Sequence, residues 1–324
     1  MILFVTTAHH TYAVASLVRR TFGVAVPHCA VVAYEELFAA TTLPTATVVF
    51  TDFDRLFPWE VRIAAEIFAG LRARGVRCLN DPARTMVRFE LLRTLHDLGF
   101  NPFDVYRADE RPRPRRFPVF IRNEADHIAP RPLLIESQDR LDRALEALRG
   151  AGNPLRGLMV VEYAGEEIGP GMWRKFTTFR IGEGVVTSHG YIAGHWMVKT
   201  PTPGLAGEAH DHEELGLVAS DALVPRLRRA FEIAGVDWGR ADHATFTGRE
   251  IVFEINVNPD VPALKPRESA IADRSVLHAR RRIADHLHAI DTEGGPAVRL
   301  EAGPRLGRWR DAIRRADTNA LPRP

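Results

Sequence analysis

The segment that most constrains this chain is 236–260, VDWGRADHATFTGREIVFEINVNPD, which reads as two strands around a turn at Thr247-Gly248. Val236-Asp237-Trp238 leads into Arg240 and Asp242, and Ile251-Val252-Phe253 leads into Glu254, Asn256 and Asn258, with Pro259 closing the run. Side chains alternate faces along a strand. Arg240 and Asp242 therefore share a face on the first strand, as do Glu254, Asn256 and Asn258 on the second. If the strands pair, a guanidinium, two carboxylates and two amides converge on one patch. Oxygen donors of this kind suit a hard cation such as Mg²⁺, which is often held by one or two carboxylates plus substrate phosphates. An adjacent Arg can clamp phosphate with two parallel hydrogen bonds. Arg-x-Asp alone would be a surface ion pair and Glu-x-Asn alone a solvated edge. Both standing on apolar strands at hairpin spacing read as a site.

Upstream, strands and helices alternate. Residues 2–6 (ILFVT), 30–34 (AVVAY) and 45–50 (TATVVF) read as buried strands, with helices at 11–22 and 59–74 and a last extended stretch at 76–81. Helix 59–74 carries Val61, Ala64, Ala65, Ile67, Phe68 and Leu71 as its apolar stripe. Such alternation predicts a parallel α/β sheet. His9-His10-Thr11 follows the first strand where a dinucleotide-binding domain needs a Gly-rich phosphate loop, so a Rossmann domain is disfavoured. Asp81-Pro82 opens a helix expected to run to Leu98 and stop at Gly99. An Arg/Pro-rich connector follows at 107–117, held extended by its prolines and read as a solvated linker. Next come a strand at 118–122, a helix at 138–149, a strand ending at Glu162-Tyr163 and a strand pair at 175–192 turning at 182–184. Segment 200–212, small, polar and broken by Pro and Gly, has the composition of a mobile loop. Helices are expected at 221–234 and 269–290, and the basic amphipathic segment around 309–316 is peripheral in this reading.

A chain of 324 residues with 45% hydrophobic and 26% charged residues can build two or three domains. Its net charge of +2 implies no broad nucleic-acid surface, although 13 histidines allow a more basic state at mild acidity. Cys29 and Cys78 read as buried free thiols, with a disulfide left open. The first residues lack a basic stretch and an apolar run long enough for a signal peptide or membrane span, which places the chain in a cytoplasm, away from membranes.

Arg240-x-Asp242, followed twelve positions after Asp242 by Glu254-Ile-Asn256-x-Asn258-Pro259, resembles the magnesium-binding end of the ATP-grasp superfamily, which includes D-alanine–D-alanine ligase, glutathione synthetase and carbamoyl-phosphate synthetase. The resemblance implies an ATP-grasp fold of the α/β class: an N-terminal parallel α/β domain (1–80) and two lobes clamping ATP (81–163 and 164–292), then a basic tail (293–324). It implies that Asp242, Glu254 and Asn256 ligate Mg²⁺, with Mn²⁺ as a substitute, and that Arg240 contacts the transferred phosphate. Leu79-Asn80-Asp81-Pro82 and Leu98-Gly99 resemble the start of the ATP-grasp domain, where a Lys one turn into the helix reaches the nucleotide phosphates; Arg88 stands there. Pro118–Arg122 matches the family's Pro-Val-x-x-Lys strand, so Arg122 takes the place of a second phosphate Lys, with a planar fork instead of a compact ammonium. The Gly/Ser-rich loop that usually follows is replaced by 123–130, NEADHIAP, which has no Gly. Either side chains such as Asn123 and His127 take over, or the phosphate cover is looser.

Glu162 and Tyr163 fall at the hinge that reads adenine in the family, and Lys175 is the nearest match to the family's ribose-binding Glu. Lys175 and Arg180 are five apart and so face opposite sides of a regular strand; Arg180, beside the Gly turn, is the one expected in the cleft. Lys199, at the start of the loop, is the candidate for a γ-phosphate contact from a lid that keeps water from an acyl phosphate. His9, His10, Asp52 and Asp54, at strand ends, are candidates for an acceptor pocket. The activity implied is an ATP-dependent carboxylate–amine ligase using amino acid or peptide-like substrates and releasing ADP and phosphate. Oligomeric state is left open. Two rivals stand beside it: an ATP-grasp kinase acting on a hydroxyl, and a nucleotide-binding module without catalysis, suggested by the missing Gly loop and the two Arg-for-Lys exchanges.

Overall fold

The computed structural model describes residues 1–19, 24–125, 132–260 and 269–318. His127 lies outside them.

The chain opens with an α/β unit: β1 (Ile2–Thr6), α1 (Tyr12–Arg19), β2 (Cys29–Ala33), α2 (Tyr34–Ala39), β3 (Thr42–Leu43), β4 (Thr47–Phe50), α3 (Pro58–Ala73) and β5 (Cys78–Leu79). β1 is buried along its whole length, as an unbroken apolar run covered on both faces requires. β2, β1, β4 and β5 form a parallel sheet in that order, with Ile2 beside Cys29 on one side and Thr47 on the other. α3 starts where its sequence says it should. Pro58 occupies the first turn, and the Glu60 carboxylate accepts from the Phe57 N–H at 2.7 Å.

A second unit follows: α4 (Arg88–Asp97), β6 (Val105–Arg107), β7 (Val119–Asn123), α5 (Gln138–Gly150) and β8 (Leu158–Glu162). Its strands pair antiparallel in the order β6-β8-β7. The third unit contains β9 (Glu167–Gly169), β10 (Met172–Ile181), β11 (Gly184–Ala193), α6 (Glu208–Ser220), α7 (Val224–Ala234), β12 (Trp238–Phe246), β13 (Arg249–Asn256) and α8 (Ala270–Ile290). Here β11, β10, β12 and β13 form an antiparallel sheet, with β9 added to β10. The described chain closes with β14 (Val298–Arg299) and α9 (Pro304–Thr318).

The first and third units share their core. Ile2 and Phe4 pack with Phe179, Ile181, Trp238, Ile283 and Leu287, and the Phe4 and Trp238 rings meet edge to face at 4.9 Å. Asn80 locks the joint. Fully buried, with a left-handed backbone that Asn tolerates, it donates to the Phe50 and Trp238 carbonyls and accepts from the Asp237 and Trp238 N–H groups. The second unit has one apolar cluster of its own, Leu141, Leu145, Leu155 and Val160 around Val119, whereas Leu91, Leu95 and Phe100 of α4 and the segment after it join the core shared by the other two units.

Four elements differ from the sequence reading. Asp81-Pro82 makes a single turn, because Asp81 accepts from the Ala83, Arg84 and Thr85 N–H groups; the helix begins only at Arg88. α2 follows β2 directly where one extended segment was expected to reach Tyr34. Residues 208–212 open α6 and do not extend the loop: its buried positions are Asp211, Glu214 and Val218, so no apolar stripe announces the helix. The tail is not peripheral. β14 pairs with β3, Leu306 is fully buried, Trp309 meets Phe38 at 5.6 Å, and Arg310 donates to the Phe38 and Ala40 carbonyls.

Candidate active site

The β12–β13 hairpin carries the site. Thr247 and Gly248 both have positive φ (48° and 76°), the geometry that matches a two-residue turn to strand twist. The turn sets Phe246 opposite Arg249 and His243 opposite Val252; beyond a one-residue shift, Asp242 lies opposite Glu254 and Arg240 opposite Asn256. Directly opposed side chains are about 5 Å apart at Cβ, so the two carboxylates are neighbours by construction. The pairing shifts by one residue just after Asp242, a bulge of the kind that re-aims side chains beside functional sites.

Four cations surround these two acids. Asp242 accepts from Lys175 Nζ at 2.7 Å and from Arg240 Nε at 3.1 Å. Glu254 Oε2 accepts from Arg88 Nη2 at 2.7 Å and from Arg122 Nη2 at 3.3 Å. Burial pushes the Asp242 carboxyl up, but Lys175 and Arg240 outweigh it and hold the group below the ordinary carboxylate range. Burial likewise lowers Arg240, yet Asp242 and Glu254 raise it above its usual value. For Arg122 burial prevails over the attraction of Glu254, Arg88 adds repulsion, and its pKa is lowered. Four positive groups against two negative ones leave a local excess of positive charge suited to a polyanion.

This cluster forms the polar end of a cavity of about 290 Å³ between the second and third units. The other end is apolar, lined by Leu92, Phe103, Phe120, Val161, Trp196 and Phe253. Trp196 crosses from the third unit to touch Phe120 (ring centroids 5.0 Å) and Tyr163 (5.3 Å) in the second unit and the segment just after it.

Of the residues singled out in the sequence, Arg122, Glu162, Tyr163, Lys175, Lys199, Arg240, Asp242, Glu254 and Asn256 line this cavity. Arg88 is buried at its edge, bound to Glu254 and to the Glu124 carbonyl. The Asn256 side-chain oxygen accepts from the Asn258 N–H at 2.9 Å, and Tyr163 Oη accepts from Trp173 Nε1 at 3.0 Å.

Two expectations are corrected. Arg180 does not enter the cleft; its guanidinium bonds the Gly182 carbonyl and faces Asp237 at 3.4 Å by the β10–β11 turn. Parity along β10 separates Lys175 from Arg180 as expected, but the pairing with β12, which sets Thr177 opposite Asp242, turns the Lys175 side of the strand to the cavity. The Glu162 carboxylate, expected to read adenine, is engaged within the protein. It is buried and accepts from the N–H groups of Asp104, Arg115 and Arg116, from Tyr106 Oη and from Arg116 Nε, so it fastens the Arg-rich connector to the end of β8. The acceptor candidates sit apart from the cavity lining. Asp52, fully buried with φ of 64°, accepts from the Thr7 N–H and from Arg55, bracing the ends of β1 and β4. Asn258 Nδ2 reaches this corner, donating to Thr6 Oγ1 and the His10 carbonyl at 3.2 Å each.

The aromatic end was missed in the sequence. Trp196 and Phe253 stand near the polar residues Lys199 and Glu254 in two separate segments, and only their convergence in space marks them as one wall.

No protein-family model matches the chain, and no curated protein matches it in sequence. Solved structures do resemble it. The ATP-grasp ligase PsnB in complex with a minimal precursor is 14% identical, with a TM-score of 0.51 over 89% of this chain and 98% of PsnB. D-alanine–D-alanine ligase from Bacillus anthracis complexed with ATP is 10% identical, with a TM-score of 0.47 over 90% of this chain and 97% of the ligase. The D-cycloserine synthetase DcsG is 19% identical, with a TM-score of 0.46 over 89% of this chain and all of DcsG. On the likeness to PsnB, across nearly the whole of both chains, this protein has the ATP-grasp fold.

Proposed function

We propose that this chain is an ATP-dependent carboxylate–amine ligase working through an acyl phosphate. The observation that carries the reading is the cross-strand pair Asp242 and Glu254, ringed by Lys175, Arg240, Arg122 and Arg88, at one end of a cavity whose other end is aromatic. A purine base suits the apolar end and a triphosphate the charged one.

The donor set fits Mg²⁺. Asp242 and Glu254 offer carboxylate oxygens and Asn256 an amide oxygen, all hard donors. Among the described residues no group of three His, Cys, Asp or Glu gathers, so phosphates and water would complete the shell, which is the usual way Mg²⁺ is bound. When bound, the ion neutralises charge on the β- and γ-phosphates. Arg122, Arg88, Arg240 and Lys175 supply preorganised positive charge for the phosphoryl group in transfer. Trp196, touching both sides of the cavity, shields it from water that would hydrolyse an acyl phosphate. A substrate carboxylate oxygen attacks the γ-phosphorus and ADP leaves; an amine then attacks the acyl carbon and phosphate leaves. No side chain need act as a covalent nucleophile.

The test is ATP turnover against a panel of amino acids and peptide-like carboxylates with hydroxylamine present. Hydroxamate together with ADP is the expected result. A stable phosphate ester would make the chain a kinase, and ATP binding without ADP formation would make it a non-catalytic binder.

A further inference from the structure

The four cations around Asp242 and Glu254 are not equivalent. Arg240 is tethered a second time, through Nη1 to the Asp260 carbonyl at 2.9 Å. Arg88 is tethered a second time, through Nη1 to the Glu124 carbonyl at 2.6 Å. Lys175 and Arg122 have no such anchor among the described residues. Among the described residues the only hydrogen-bond partner of Lys175 Nζ is Asp242, its other neighbour being the Tyr191 ring at 5.8 Å. Among the described residues the only hydrogen-bond partner of the Arg122 guanidinium is Glu254. Each carboxylate is thus held by one cation fixed to the backbone and one on a side chain free to swing.

Metal and phosphate need these same groups in a different pairing. A divalent ion on Asp242 and Glu254 competes with Lys175 and Arg122 for the carboxylate oxygens, because cations converging on one oxygen repel each other. Phosphate oxygens need the cations that the carboxylates now hold. Arg88 and Arg240 can stay in place as scaffold.

We propose that Lys175 and Arg122 are exchange cations: they neutralise the two carboxylates until metal arrives, then pass to the nucleotide phosphates. Metal and nucleotide binding are thereby coupled, each releasing what the other requires, and by linkage the coupling acts equally in both directions. This rests on the proposed use of ATP and adds a division of labour among the four cations.

The experiment uses the full chain and two probes: Mn²⁺ alone, followed by electron paramagnetic resonance of the free ion, and ADP in EDTA, followed by calorimetry. Lys175→Met removes the cation competing for Asp242, and Arg122→Met the one competing for Glu254. In each variant Mn²⁺ alone should bind roughly tenfold tighter and metal-free ADP roughly tenfold weaker, the change that about 1.4 kcal/mol of altered competition gives. A cation serving only to brace the fold would not move the two affinities in opposite directions. Lys175→Arg keeps the charge and should return both affinities to near the parent values. Variants that remain cooperatively folded at the assay temperature but bind Mn²⁺ no tighter overturn the exchange, as does tighter Mn²⁺ without loss of ADP affinity. If one variant is unstable, the other decides, since they address different carboxylates. A parent chain that binds ADP neither with nor without Mn²⁺ refutes the ATP-using reading and the exchange along with it. That outcome differs from failure of the exchange alone, in which the parent binds Mn²⁺-ADP normally.

Discussion

Removing the carboxylate of Asp242 without changing its shape isolates the electrostatics of the site. Asp242→Asn leaves Lys175 and Arg240, each with a side chain only 15% exposed, facing an amide in place of an anion. At a charge separation of about 4 Å and an effective dielectric near 20, the Lys175–Asp242 attraction is about 4 kcal/mol. Desolvation of both groups offsets part of it, whereas deleting one partner of a buried pair costs roughly 3 kcal/mol because a charge is stranded. The partner deletion Lys175→Met strands Asp242 less, since Arg240 remains on it. The double variant should therefore be more stable than the sum of the singles by about 2 kcal/mol, a coupling well above the scatter between independent sites. Urea unfolding of all four chains at neutral pH and low salt measures it. A coupling under about 0.5 kcal/mol would mean that water screens the pair and that the site is not the dry, charge-dense pocket described here.

Three further outcomes follow from other parts of the molecule. Glu162→Ala removes the acceptor of five hydrogen bonds that fasten the connector. Limited trypsin digestion should then cut after Arg115 or Arg116 at least tenfold faster, the bonds after Arg111 and Arg113 being blocked by Pro112 and Pro114; an unchanged rate would show that the connector is held by other means. Leu306→Ala opens a cavity beneath α9, where the side chain is fully buried; it should cost about 3 kcal/mol in urea unfolding, and a loss under about 1 kcal/mol would mean that α9 adds little to the first unit. Asp242 and Glu250 are both held below the ordinary carboxylate range, Glu250 because His243 and Thr245 outweigh its burial. Their contributions to stability are complete above the unfolded carboxylate values of about 4 and are lost as pH falls through the lower folded values. The melting temperature should hold from pH 7 to about 5 and fall below about 4, with the fall shallower in Asp242→Asn than in the parent.

The hairpin was legible because its information is local. A turn residue pair and alternation on either side mark the hairpin and its candidate residues, but strict register from the turn would set Phe253 opposite Asp242; a one-residue bulge, not legible in the sequence, brings Glu254 there. The parallel sheet was legible for a similar reason, its strands being short unbroken apolar runs. What the sequence concealed was orientation set by distant partners. That Lys175 and Arg180 lie on opposite faces follows from counting; which face meets the cavity depends on how β10 pairs with β12. Glu162 ends its strand as expected, but a connector some fifty residues earlier in the chain consumes its carboxylate. α6 was hidden because it buries acids: Glu214 accepts from the Gly190 N–H and from Ser275, and Asp211 from Ser269, so its inner face is polar. The tail looked detachable because its basic residues are on the surface, while the few apolar ones that dock it, Leu306 and Trp309, are too sparse to form a pattern.

Asn80 has a mechanical consequence. Four hydrogen bonds from one side chain, together with the apolar contacts around Phe4 and Trp238, weld the opening α/β unit to the sheet that carries both acids. Asn101 ties the end of α4 to Val252 of that sheet, so any gaping of the cleft would be a swing of β6, β7, β8 and α5 against a stiff frame that includes α4. Lys175, Arg240, Asp242 and Glu254 would travel together through such a movement, and Arg122 would be carried away from them.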